Sequence, residues 1–226
     1  MYDMSVAVTF MDVCYSDILH NFSCEIESGA RVLVVTAREE ESTVLTRLMA
    51  GLFKPEKGSI AVFGTSTGEA TAEKLMDSRR KLGIVTFHGG LVSNLKMWEN
   101  IFLPFYYHTG KPKPLDDKLA VNYLDKLNCS EKHKLFPAHL SLFEKRVAAF
   151  TRAAIMKPDI MIYCNTFDRI SNPEQVLFAS VLDAFHTEKT DRTSIYLAST
   201  TDLPFQSDFD KVLYIHPEQN SGTAPK

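Results

Sequence analysis

The chain has 226 residues, 45% of them apolar and 23% charged, enough for one compact domain with a sizeable core and unlike a disordered or low-complexity chain. A formal net charge of −3 gives no general attraction to nucleic acid or anionic lipid, so no nucleic-acid partner is expected. Cys14, Cys24, Cys129 and Cys164 show no C-x-x-C spacing, no signal-like stretch opens the chain, and no apolar run approaches the ~20 residues of a membrane span; a reducing cytosolic setting with free thiols is expected.

In chain order, residues 6–10 and 22–26 read as a hairpin-like pair of strands that would form a small antiparallel layer. Residues 31–35 follow as an apolar strand, then a helix over 40–52 and short β-branched strands at 60–63 and 83–87. From about 91 to 156 no strand is convincing; helices at 97–105, 116–127 and 141–156 suggest an inserted helical subdomain, with 110–114 as its clearest loop. Strands at 159–163, 194–198 and 211–215 alternate with a helix at 173–185, for which Asn172 before Pro173 reads as the cap. Residues 217–226 form a polar tail. Strand and helix alternation predicts a single α/β domain over 1–226, with a mostly parallel sheet covered on both faces. The seven histidines have no ligand-like spacing, and no metal site is expected.

Residues 31–64 carry the outline of a P-loop: an apolar strand, a short turn, a Ser-Thr-opened helix, then Ala50-Gly51-Leu52, Pro55 and Gly58. In the pattern G-x-x-x-x-G-K-[ST], glycines let backbone N–H groups wrap a phosphate while the lysine neutralises it. Ser42 and Thr43 fill the hydroxyl positions, but Glu41 stands in the lysine place, Glu40 in that of the glycine before it, and Val35 in that of the first glycine. Three acids, Glu39 to Glu41, therefore open a helix whose N-terminus favours an anion. As ordinary first-turn acids they would stabilise the helix by roughly 0.3–1 kcal/mol each. A carboxylate and a phosphate charge about 4 Å apart repel by roughly 4 kcal/mol at an effective dielectric of 20, so ATP is expected to bind poorly.

The stretch GIVTFHGGLVSNLKMWENIFLPFYYH, residues 83–108, is similar to the glutamine-loop region of ATPase subunits from Mla/Mce-type lipid transporters, and the order of segments resembles an ABC transporter ATP-binding subunit over nearly the whole chain. The resemblance implies a P-loop NTPase-like fold with a helical subdomain, and assigns site positions residue by residue. The glutamine place is His88, the Walker B aspartate place Cys164, the general-base glutamate place Asn165 and the switch-histidine place Thr201. The signature Leu-Ser-Gly-Gly-Gln corresponds to Leu140, Ser141, Leu142, Phe143 and Glu144, which would present a Leu142-Phe143 surface to a partner subunit; Tyr15 is the candidate adenine-stacking aromatic. Asn165 has no basic carboxylate, and a neutral thiol is a poor ligand for Mg²⁺.

These positions imply a catalytically inactive, ABC-ATPase-like subunit without a nucleotide or metal cofactor. It would dock on an integral-membrane permease of a lipid-type transporter at the inner face of the membrane, as a homodimer or a heterodimer with another ABC subunit. The alternatives are an ATP-hydrolysing subunit that uses ATP and Mg²⁺ through divergent motifs, and a soluble scaffold that binds another protein. Residues 89–107 keep the family-like pattern and are the expected docking surface, with Leu91, Val92, Leu95 and Trp98 as its anchors and Phe105, Tyr106 and Tyr107 as further exposed candidates.

Overall fold

The computed structural model describes residues 6–109, 117–205 and 208–215; the expected loop at 110–114 and the tail at 217–226 lie outside them. Among the described residues, strands and α-helices follow in the order β1 (Val6–Tyr15), β2 (Leu19–Glu27), β3 (Arg31–Val35), α1 (Glu39–Met49), β4 (Lys57–Val62), β5 (Thr65–Ser66), α2 (Ala72–Arg80), β6 (Leu82–Val85), α3 (Met97–Thr109), α4 (Lys118–Lys126), α5 (Leu142–Ala154), β7 (Ile160–Cys164), α6 (Asn172–Thr187), β8 (Thr193–Ala198) and β9 (Lys211–Tyr214). A parallel sheet has the order β6-β7-β8-β3-β9, and an antiparallel sheet the order β2-β1-β4-β5. The expected early hairpin is the β1–β2 pair of the second sheet.

The parallel strands read as unbroken apolar runs because both faces are covered. In β3, Val32 and Val34 face a core shared with α1 and the antiparallel sheet, while Leu33 faces the helical side. β7 divides Ile160, Ile162 and Cys164 from Met161 and Tyr163 in the same way, and β8 divides Ile195 and Leu197 from Tyr196 and Ala198. The helical side holds α3 to α6, centred on Phe150, whose ring meets Tyr123, Phe178 and Phe185 edge-on at 5.2 to 5.8 Å. Deleting such a ring costs about 3–5 kcal/mol.

α1 stops at Gly51, whose φ of +63° a side chain rarely adopts. Gly51 N–H bonds to Leu48 O at 3.0 Å, and Leu52 N–H to Arg47 O at 2.8 Å. Arg79 of α2 closes the remaining carbonyls, donating to Ala50 O and Gly51 O at 2.8 Å each. α2 itself is absent from the sequence expectation, since its charged surface has no apolar stripe. The cap of α6 is Ser171 rather than Asn172: the Ser171 N–H and hydroxyl both donate to the Glu174 carboxylate, at 2.8 and 2.7 Å.

Candidate functional site

Three parallel strands end side by side. Val35 pairs with Ala198, and Cys164 with Leu197, which gathers the turns after β3, β7 and β8 at the carboxyl edge of the sheet, where open α/β sheets form ligand sites. Thr36 N–H bonds to Ala198 O at 2.9 Å and Asn165 N–H to Leu197 O at 2.8 Å, tying two of these turns to β8.

The turn from β3 into α1 is closed by its own acid. Glu41 is 0% exposed. Its Oε2 accepts from Ala37 N–H at 2.7 Å and Arg38 N–H at 3.3 Å, and its Oε1 accepts from Arg38 Nε at 3.0 Å. The hydrogen bond to Glu41 raises the Arg38 guanidinium above its ordinary pKa. Backbone donors at the start of a helix make an anion cradle, and here a tethered carboxylate occupies it. Ser42 is buried, its hydroxyl 2.9 Å from Thr36 Oγ1, while Thr43 is half-buried and Glu40 is exposed.

Beneath this turn, Thr46 Oγ1 donates to Ser42 O at 2.8 Å and lies 2.9 Å from Cys164 Sγ. Burial pushes the Cys164 thiol up to about 11, so it is neutral at ordinary pH. Asn165, in the left-handed region at φ 49°, donates from Nδ2 to Asp168 Oδ2 at 3.3 Å, and its buried Oδ1 has no hydrogen-bond partner. Glu41, Ser42, Cys164 and Asn165 thus meet at one edge. His88 and Thr201 are exposed, and Tyr15 stacks on Phe53 at 5.6 Å, with the rings 10° apart.

The sequence suggests no structural role for Arg146, yet it joins the segment after β6 to the turn after β7. Fully buried, it donates from Nε to Phe87 O at 2.8 Å, and from one terminal nitrogen to Thr166 O at 2.9 Å and Asp168 O at 2.6 Å. Burial lowers its pKa to about 10. In the signature segment, Ser141 caps α5: its hydroxyl accepts from Glu144 N–H at 3.1 Å, and Glu144 Oε2 accepts from Ser141 N–H at 2.8 Å. Leu142 is half-buried and Phe143 is buried, edge-on to Phe178 at 5.9 Å. The expected Leu142-Phe143 surface is therefore corrected, because the helix that Ser141 starts turns Phe143 into the core.

The 89–96 segment is held from within. Arg152 donates to Gly90 O at 2.9 Å and Gly89 O at 3.0 Å. Buried Asn100 accepts from Val92 N–H at 2.7 Å and donates to Val92 O, Leu95 O and Lys96 O at 3.1, 2.9 and 3.1 Å. Val92 is 40% exposed, and Leu91 and Leu95 are half-buried. Trp98 is a correction: at 7% exposure it packs on Phe102, ring centres 4.5 Å apart, and anchors the core instead of a partner. Phe105 is half-buried, while Tyr106 and Tyr107 are exposed. A groove of about 430 Å³ between α2 and α3 is lined by Met76, Arg79, Arg80, Leu103, Pro104 and Tyr107, a feature invisible without α2.

A parallel sheet whose central strand feeds a P-loop-type turn and helix, beside an antiparallel sheet and a helical subdomain, defines an ATP-binding-cassette fold. The chain belongs to the ABC transporter family, whose profile matches residues 19–166. It is 31% identical over 167 residues to a methionine import ATP-binding protein, MetN 2, of Paraburkholderia xenovorans, covering 73% of this chain and 43% of that protein. It is 25% identical over 167 residues to the probable ribonucleotide transport ATP-binding protein mkl of Mycobacterium leprae, covering 74% of this chain and 48% of that one. The chain thus spans less than half the length of the curated relatives it matches. Among solved structures, the dimeric bacterial ABC transporter cassette MJ0796 has a TM-score of 0.79 at 18% identity, covering 92% of this chain and 93% of that one. The same cassette bound to ADP and Pi has a TM-score of 0.73 at 19% identity, covering 85% and 88%.

These relatives overturn two expectations. A chain that is no enzyme and takes no nucleotide cofactor is not what they point to: they are named ATP-binding proteins of transporters, and the family assignment favours an ATPase. The side chains as they stand nevertheless do not fit Mg·ATP, since the Glu41 carboxylate holds the loop's donors and Cys164 offers sulfur where a hard cation asks for oxygen. Among the described residues, no group of three or more His, Cys, Asp or Glu could hold a metal ion.

Proposed function

We propose that the chain is the ATP-hydrolysing subunit of an ABC transporter, working through divergent site residues and docked on an integral-membrane permease. The observation that carries this reading is the family match over 19–166 together with a P-loop-type turn delivered by β3 to the carboxyl edge of the sheet. Oxygen donors that remain at that edge are the hydroxyls of Thr36, Ser42 and Thr43 and the carboxylate of Asp168. The 89–107 segment is the permease-facing surface, with Val92, Leu95 and the exposed end of α3 presented on a loop that Asn100 and Arg152 hold rigid. The likeness of residues 83–108 to Mla/Mce-type subunits supports a lipid-type transporter.

In the assembly, the chain lies at the cytoplasmic face, paired with a second copy or another ABC subunit. No helix among the described residues is long and apolar enough to cross a membrane. Phosphate release from Mg·ATP, measured on the chain co-purified with its membrane partner, tests the reading. Turnover well above that of membranes lacking the chain is the expected result, and none above that level rejects it.

A further inference from the structure

The amino ends of β7 and β8 lie opposite the edge where the turns gather, and a second recess opens beside them. A cleft of about 450 Å³ is walled by the last turns of α5 and α6 and by Leu119 and Tyr123 of α4. That volume lies within the range of about 300–1,000 Å³ usual for small-molecule sites. Tyr123, Ala154 and Phe185 are buried and Leu119 is half-buried, so the walls are largely apolar.

A cation set into such walls needs partners. The Arg192 side chain, just before β8, is only 5% exposed, and its guanidinium carbon lies 3.5 Å from the centre of the Phe185 ring. Among the described residues only its Nη1 donates, to Phe185 O; the Glu188 carboxylate stands off at 3.8 Å, and Nε is buried without a partner. Glu188 is drawn aside by Tyr123, whose hydroxyl donates to it at 3.3 Å. Lys189 is paired with Asp159 and Asp191. Lys157, exposed at the mouth, has no ion pair among the described residues. It holds a φ of +53° after the end of α5, where a glycine would sit with less strain.

We propose that this cleft binds a small amphipathic carboxylate. Its anionic end takes the unshared Nη2 of Arg192 and the Lys157 ammonium, and its apolar body lies along Leu119, Tyr123 and Ala154. A carboxylate matches the planar guanidinium, and the shielding of Arg192 from water strengthens the pairing. Glu188 on the rim repels a second negative charge, which favours a monoanion over a phosphate ester. The site stands whether or not the chain hydrolyses ATP.

Calorimetry of the full chain with octanoate tests the site, with octanamide as the neutral isostere and acetate as the charge without the body. Octanoate is expected to saturate with a Kd below about 1 mM, octanamide to bind about tenfold weaker or worse, and acetate not to saturate. Arg192→Gln should loosen octanoate by about tenfold or more. Lys157→Gly should loosen it by about threefold without lowering the unfolding temperature, since glycine relieves the positive φ. Glu188→Gln, which removes the competing acid, should tighten it by about threefold.

Octanoate that does not saturate, or binds no tighter than octanamide, overturns the site, as does a folded Arg192→Gln or Glu188→Gln with wild-type affinity. If Arg192→Gln does not fold, Lys157→Gly decides for the cationic end. Undiminished stability with unchanged octanoate binding in that variant would leave Lys157 a surface residue and remove the proposal.

Discussion

Two turns leave the parallel sheet held by side chains bonded to backbone, but the bonds run in opposite senses. In residues 36–41, backbone N–H groups donate into the buried carboxylate of Glu41, a residue of the helix that the turn opens. In residues 89–96, half-buried Arg152 and buried Asn100 bond the turn from the protein side and leave Val92 outside. The first turn is closed with the donors a phosphate would need; the second is made rigid without using its outer face. One side chain of its own helix holds the first turn, while two side chains from helices behind it hold the second.

The largest effect is expected where that interior is broken. Asn100→Ala removes the acceptor of the part-buried Val92 N–H and an amide whose two N–H groups are shared among Val92 O, Leu95 O and Lys96 O, so urea unfolding should show a loss of about 2–3 kcal/mol, and permease co-purification should fall with it. A loss below about 1 kcal/mol would mean the 89–96 turn is not held from within, and the contrast between the two turns would lapse.

Next is the support beneath the phosphate-type turn. Burial raises the Cys164 thiol from 9.0 to about 11, which stabilises its neutral form in the fold. That contribution is fully present below pH 9.0 and is lost as pH rises through about 11, because the unfolded chain releases this proton first. Cys164→Ser keeps a hydroxyl for Thr46 and removes the titration, so its stability should decline less over that window, by about 2 kcal/mol at the alkaline end. Parallel denaturation of the two proteins from pH 8 to about 11 isolates the Cys164 share, since Cys24 and Cys129 titrate in both. Matching alkaline declines would show that the thiol is not sealed under the turn.

Ser42→Ala is a smaller perturbation of the same turn. It leaves Thr36 Oγ1 without its 2.9 Å partner and should cost about 1 kcal/mol in urea. A cost equal to that of Asn100→Ala would erase the distinction between the turns.

The fold was legible in the sequence because strands buried on both faces must be apolar throughout: β3, β7 and β8 stand within a residue of their expected ends. The family positions also landed together, with Glu41, Ser42, Cys164 and Asn165 at one edge. What the sequence left hidden is the direction of side chains, which tertiary partners set. Trp98 and Phe143 look alike as exposed anchors or as core until Phe102 and Phe178 stand against them. α2 has no apolar stripe to announce it, and its place depends on Arg79 reaching the end of α1. The acids at 39–41 were read as one cluster, but only Glu41 turns inward, because its arm alone meets Ala37 N–H and the Arg38 guanidinium.

The smallest effect on stability should come with the most specific loss of function. Val92 is 40% exposed, and its backbone, not its side chain, is what Asn100 holds. Val92→Glu should therefore shift unfolding by no more than about 0.5 kcal/mol, as exposed substitutions do. If the outer face of this turn meets the permease, a buried charge without a partner would arise there, and co-purification should fall by about tenfold or more. Leu95→Glu, at a half-buried position, should weaken both stability and binding, which separates a docking contact from a packing one. Retained permease binding by a well-folded Val92→Glu would remove this face from the interface and leave the groove between α2 and α3 to carry it.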